Sequence, residues 1–248
     1  MKRFLAKLSY DGTNFSGWQI QPNVRTVEET LEKALKIISK QTINVVGSGR
    51  TDAGVHALSQ YAHFDFPISM KTHQIVAALN SNLPDDILIK NIYEVSHKFH
   101  SRYDAQKRSY LFLISKHRTP FNRFYQSYFP NKKLDFHKIE ESAKFFLGKH
   151  DFTSFCKLNP KLNHHFCQIF NFDCKENENT VKLQITANRF LHNMVRRIVG
   201  TLVNISHEQV QAEIVIKLLK NRNPSHKLIS TAPPQGLYLK NVEYSEFL

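Results

Sequence analysis

Strand-like and helix-like periodicities succeed one another along this chain in one order, used twice, and that order narrows the fold more than any composition figure does. Residues 3–10 (RFLAKLSY) alternate as a strand does. Residues 26–40 (TVEETLEKALKIISK) place Val27, Leu31, Leu35 and Ile38 at helical spacing, and Thr26 with Glu29 gives the pattern of a capping box. INVV (43–46) and HALSQYAHFDF (56–66) read as strands, HQIVAALNSNL (73–83) as a helix and DILIKNIYEV (86–95) as a strand. The order is β-α-β-β-α-β, the split βαβ of a ferredoxin-like unit. The second half repeats it. RSYLFLIS (108–115) is a strand, and residues 135–148 form an amphipathic helix with Asp135 as its cap. Residues 165–173 and 180–187 are strands around a polar ENEN turn, 188–205 and 208–221 are helices, and 236–244 is a closing strand. We therefore expect an α+β fold of two halves with antiparallel sheets, residues 1–104 and 105–248, and a ligand groove between them.

Charge says what kind of ligand. Lys plus Arg number 34 against 21 Asp plus Glu, a net charge of +13. That balance points to a polyanion, nucleic acid first, with an anionic membrane surface or a phosphorylated small molecule as rivals. The opening MKRFLAKLSYDG is too polar for a signal peptide, and no run approaches the roughly 20 apolar residues of a membrane span. Three cysteines, an odd number, do not make a disulfide framework. A soluble, cytoplasmic protein is the expectation.

The chain has only 8 glycines, and Gly47, Gly49 and Gly54 fall within GSGRTDAGVHAL, residues 47–58. The stretch lacks the G-x-x-x-x-G-K-[ST] of a phosphate loop. As a dinucleotide loop it would put Asp52 where the third glycine belongs, against the pyrophosphate, and it leads into a strand rather than a helix. A local turn in which Arg50 and Asp52 pair is one reading. The other is an Asp52 nucleophile or general base, which needs a cation to stay ionised in a desolvated pocket. Arg50 is too near to be the only candidate. In HNMVRR, Arg197 points away from the apolar stripe of Leu191, Met194, Val195, Ile198 and Leu202, whereas Arg196 lies at its edge. Arg196 is the better mate for Asp52. Tyr110 follows the basic approach of Arg102, Lys107 and Arg108 into a strand, which tilts it from core residue towards an RNA-facing platform.

At this point the residues resemble a known family. GSGRTDAGVHALSQYAHFD is similar to the signature of the TruA-type tRNA pseudouridine synthases, whose catalytic Asp sits in G-R-T-D-A-G-V-H. YDGTNFSGWQIQPN with TVEETLEKAL, FHSRYDAQKRSYLFLI, HDFTSFC, ANRFLHNMVRRIVGTL and APPQGLYL resemble further blocks of that family, in order, over nearly the whole chain. The resemblance implies the pseudouridine synthase fold, with ferredoxin-like halves around a central basic cleft. It implies Asp52 as nucleophile, Arg50 contacting RNA in the space of the extruded nucleotide, Tyr110 stacked on the uracil and Arg196 paired with the Asp. His100 and Arg102, with Lys107 and Arg108 beyond them, fall in a tRNA-contacting segment. It further implies a homodimer acting on uridines 38, 39 and 40 of the anticodon stem-loop, without cofactor or metal. Three positions depart from the family: Phe112 where a second Tyr is frequent, Cys156 where an Arg often follows D-F-[ST]-S-F, and Arg189 where a small residue precedes F-L-H.

Three rivals carry distinct expectations. A zinc site would draw on Cys156, His164, His165, Cys167 and Cys174, but no C-x-x-C is present and strand alternation sends Cys167 and Cys174 to opposite faces. A non-catalytic RNA-binding module leaves the Arg50–Asp52 loop without a purpose. A hydrolase with paired carboxylates has only Asp65 to offer beside Asp52.

Overall fold

The computed structural model describes residues 1–160 and 162–245. The chain divides into two compact units, Met1–Gln106 with the chain from Tyr238 on, and Lys107–Leu237. The first runs β1 (Lys2–Tyr10), α1 (Val27–Ser39), β2 (Val46–Gly47), β3 (His56–Phe66), α2 (Thr72–Asn80) and β4 (Ile87–Val95). β1 pairs antiparallel with both β3 and β4, and β2 pairs antiparallel with the far edge of β3. β1 and β2 thus run the same way with β3 between them, which is the split βαβ that the sequence order implies. Phe4, Phe64 and Phe66 cluster at 6.1–6.4 Å in its core, Phe66 edge-on to both of the others.

α1 starts as expected but not by the expected device. Thr26 makes no capping hydrogen bond, and its hydroxyl is buried without a hydrogen-bond partner among the described residues. Glu29 turns forward to Lys33 (2.6 Å) instead of back to the cap. The first amides of the helix donate to the carbonyls of Gly17 (from Val27, 3.2 Å) and Trp18 (from Glu28, 3.0 Å). A preceding loop has taken the role of the capping side chain.

The second unit runs β5 (Ala105–Ser115), α3 (Phe136–Lys144), β6 (Gly148–Asp151), β7 (Phe166–Glu176), β8 (Thr180–Ala187), α4 (Met194–Glu208) and α5 (Ile214–Asn221). Its strand order is β5-β8-β7-β6, antiparallel throughout. Asp135 caps α3 by accepting from the Lys138 amide (3.1 Å). Four expectations need correction. α3 stops at Lys144, short of the expected residue 148, where β6 begins. The helix expected over 208–221 is α5 from Ile214 only, and residue 208 closes α4. Residues 188–193 are not helical, because Asn193 sits in the left-handed region (φ 63°) and α4 begins after it. The closing strand β9 (Leu237–Tyr244) does not belong wholly to the second half. It pairs in parallel with β3, His56 opposite Tyr238 and Ala57 opposite Leu239, so from Tyr238 it is part of the first unit. Alternation identifies a strand; it does not name a partner nearly two hundred residues away. Among the described residues no helix is long and apolar enough to cross a membrane.

Candidate active site

Between β2 and β3 the chain runs irregular, yet its backbone is held from both sides. The Ser48 amide donates to Tyr61 O (2.7 Å), and Gln60 Nε2 donates to Gly49 O (2.9 Å) while its Oε1 accepts from the Ser48 hydroxyl (2.6 Å). On the other side the Trp18 amide donates to Thr51 O (3.1 Å) and the Gly54 amide to Phe15 O (3.2 Å). The Thr51 hydroxyl meets the Tyr10 hydroxyl at 2.8 Å, and the Val55 amide closes a turn on Asp52 O (3.2 Å). Two glycines permit this grip. Gly17 has φ +90°, and a Cβ there would lie 2.6 Å from Thr51 O. A Cβ on Gly47 would lie 2.5 Å from the Trp18 ring. Gly49 is different: among the described residues nothing comes within 4 Å of a Cβ placed on it. On this frame the Asp52 side chain is half-buried and that of Arg50 is exposed. A carboxylate on backbone fixed before and after it is preorganised, the arrangement that chemistry in a fixed orientation requires.

His100 and Arg102 lie on a turn pinned by the residue between them. Ser101 is fully buried; its hydroxyl donates to Val46 O (2.6 Å), its amide to His63 Nδ1 (3.2 Å), and its carbonyl accepts from the Tyr244 hydroxyl (2.7 Å). Burial, with Arg3 and His100 nearby, pushes His63 down to about 4, so the ring is neutral and its Nδ1 is free to accept. The His100 ring stands 4.9 Å from His63 and 4.3 Å from the exposed Tyr103. The tether to Val46 joins this turn to the strand that launches the Asp52 loop. Sequence reasoning missed Ser101 and His63, since neither sits in a chemical pattern. Asp65, the only second carboxylate nominated for a hydrolase, is held in a two-pronged pair with Arg3 (both contacts 2.8 Å).

In the second unit, Tyr110 is half-buried on β5 with Phe190 edge-on at 5.0 Å. Arg108 donates to Asn188 O (3.0 Å), and Lys107 lies 5.5 Å over the Phe170 ring. Arg196, in the first turn of α4, donates through Nε to Ala232 O (2.7 Å) and through Nη1 to Asn193 Oδ1 (3.1 Å). These bonds orient its guanidinium at the helix start. Arg197 does not project into solvent as the stripe implies. It donates through Nη1 to Ser154 O and Pro224 O (both 3.3 Å), because α4 is packed on nearly every side. Asp52, Arg50, His100 and Arg102 thus belong to the first unit, and Lys107, Arg108, Tyr110 and Arg196 to the second.

The family model described as tRNA pseudouridine synthase matches residues 6–104 and 142–245. The chain belongs to the tRNA pseudouridine synthase family. It is 43% identical over 98% of its length to a protein of Limosilactobacillus reuteri named tRNA pseudouridine synthase A, covering 97% of that protein. It is 40% identical to the protein of that name from Bacillus subtilis, over 98% of this chain and 99% of the relative. A third, from Caldicellulosiruptor saccharolyticus, is 39% identical over 98% of this chain and all of the relative.

The three departures from the family pattern are structural in this synthase. Phe112 is fully buried on β5, where a hydroxyl would need a partner. Cys156 is buried with its thiol 3.7 Å from Thr153 O, and burial pushes it up to about 11. Arg189 straps the approach to β7 through Phe166 O (3.2 Å) and His164 O (3.0 Å). Cys167 and Cys174 do not lie on opposite faces of β7 as alternation implies. A bulge between Ile169 and Asn171 reverses the alternation of β7, so Cys167 and Cys174 share a face. Burial raises both thiols, Cys174 to about 12, which disfavours the thiolate that a metal takes. Among the described residues no three His, Cys, Asp or Glu side chains could together hold a metal ion.

Proposed function

We propose that this synthase isomerises uridine to pseudouridine in the anticodon stem-loop of tRNA, at positions 38, 39 and 40, with Asp52 as the nucleophile. One observation carries the reading: a half-buried carboxylate stands on a loop whose backbone is hydrogen-bonded on both sides of it. The reaction breaks the N1–C1′ bond and forms C5–C1′. The proton on C5 leaves to water and N1 gains one, so atoms and electrons balance without a co-reactant. A uridine in a stem must first be flipped out, at a cost of a few kcal/mol. In this reading Arg50 fills the vacated space and holds the phosphate, and Tyr110 takes the uracil face. Asp52 attacks the base or the sugar, or removes a proton to give a glycal. Arg196 keeps Asp52 ionised and aimed. His100, Arg102, Lys107 and Arg108 hold the tRNA backbone. No cofactor or metal is assigned a role. The working form is a homodimer, a reading drawn from the family resemblance, and the odd cysteine count supports a reducing compartment, the cytoplasm.

The test uses tRNA transcripts with uridine at only one of the three positions, EDTA present, and nucleoside chromatography of the digested product. Pseudouridine should form at each position. Asp52→Asn should lose at least about 10³-fold in turnover while binding tRNA within a few-fold. Full activity in that variant would return the protein to the non-catalytic RNA-binding reading.

A further inference from the structure

The segment after β5, residues 116–133, lies between the two stretches matched by the family model. It contains Lys116, Arg118, Arg123, Lys132 and Lys133 and not one Asp or Glu. Lys116 is matched by Glu176 at 2.6 Å; the other four make no ion pair among the described residues. Aromatic side chains stand out of the same loop: Phe121 is 87% exposed, and Phe124, Tyr125 and Tyr128 are exposed as well. Such a group of rings in water is unusual for a surface without a partner.

The loop is a built platform. Its far end is stitched to β5, the Ser127 amide donating to Leu113 O and the Ser115 amide to Ser127 O (both 2.9 Å). The fully buried Ser127 hydroxyl donates to Pro233 O (3.2 Å). At the tip, the Tyr125 and Gln126 amides both donate to Asn122 O (2.9 Å). Arg123 donates to Pro120 O (2.7 Å) while lying 4.2 Å over the Phe124 ring, which fixes a cation beside an aromatic face. Behind the tip is a hollow of about 530 Å³ whose lining includes Arg118, Thr119, Asn122, Arg123, Tyr128 and Gln235.

We propose that this platform is a second RNA-contacting surface of the synthase, taking an unpaired stretch of tRNA: phosphates on Arg118 and Arg123, a base stacked on Phe121, and base edges at Asn122 and Gln235. The inference rests on tRNA being the substrate. Cations interleaved with exposed rings and amide groups match single-stranded nucleic acid, whose every base offers a face for stacking and an edge for hydrogen bonds. A second copy of this chain is the poorer occupant. A two-fold axis through the loop would set these cations against themselves, and residues 116–133 carry no Asp or Glu to offset them.

The experiment measures tRNA binding by the full-length protein over a series of salt concentrations. Arg118→Ala with Arg123→Ala should raise Kd about tenfold or more and lower the slope of log Kd against log salt by about two. Phe121→Ala should raise Kd at least about fivefold with the slope unchanged. Lys217→Ala with Lys220→Ala, exposed on α5, removes equal charge and should change Kd far less. The proposal is overturned if the loop variants bind as the parent does, if the α5 pair matches their effect, or if they lower the oligomeric state in sedimentation while affinity per site holds. Pseudouridine formation by the unmodified protein is measured beside them. Its absence would refute the functional reading, whereas its presence with neutral loop variants would refute this surface alone.

Discussion

Two loops of this synthase carry exposed cations, and they are built in opposite ways. Around Asp52 the backbone is gripped by residues of the segment Phe15–Trp18 and of β3, and glycines let the strands of that grip come close. At residues 116–128 the backbone is tied at its base and tip, and the side chains, Phe121 above all, are left in solvent. The first arrangement fixes the backbone that carries one carboxylate. The second offers area and charge. Chemistry requires the former, since a displacement of about 1 Å at a reacting group can cost about 10² in rate. Holding a flexible polymer asks only for the latter.

The largest expected effect breaks the comparison at its sharpest point. Asp52→Asn should abolish turnover and leave affinity nearly intact, while Phe121→Ala should weaken affinity and leave single-turnover chemistry on fully bound tRNA close to that of the parent. If the two variants behaved alike in rapid-quench assays, the division between a chemical loop and a holding loop would fail.

Next in size is a pH effect on the first unit. The folded value of His63 is lowered from 6.5 to about 4, so folding excludes its proton. The unfolded chain takes up that proton below about pH 6.5. Stability therefore falls as pH drops from about 6.5 to 4 and levels off below, by about 2 kcal/mol from this group after allowing for solvent screening. In His63→Gln, urea unfolding at pH 7 and pH 4.5 should show a smaller difference than in the parent.

Two glycines sharpen the contrast further. Gly47→Ala drives a methyl into the Trp18 ring and should cost about 1–3 kcal/mol in thermal or urea unfolding. Gly49→Ala meets nothing among the described residues and should fall within about 0.5 kcal/mol of the parent. Equal costs would mean that the grip on the loop is not where the hydrogen bonds put it.

Much of the first unit was legible because its order is local: alternation and helical spacing give β1, α1, β3, α2 and β4, while the strand expected at 43–46 shrinks to Val46–Gly47, and the glycines with Arg50 and Asp52 stand out against a glycine-poor chain. The half-buried place of Arg196 at the edge of the α4 stripe was also within reach, since it depends only on helix geometry. What escaped depends on distant partners. The capping of α1 by Gly17 and Trp18, the pairing of β9 with β3, and the bulge that reverses the face of Cys174 leave no periodic trace. Ser101 shows the limit most plainly: a small polar residue whose hydrogen bonds run to Val46, His63 and Tyr244 is not marked as special by any neighbour in sequence.

The most direct measurement is tritium release from tRNA labelled at C5 of uridine, comparing the unmodified protein with Asp52→Ala in the presence of EDTA. C5 gives up its hydrogen only when a new bond forms there. Release by the parent protein and none by the variant is the result predicted here. Equal release from both, or none from either while tRNA stays bound, would contradict an Asp52-centred isomerase.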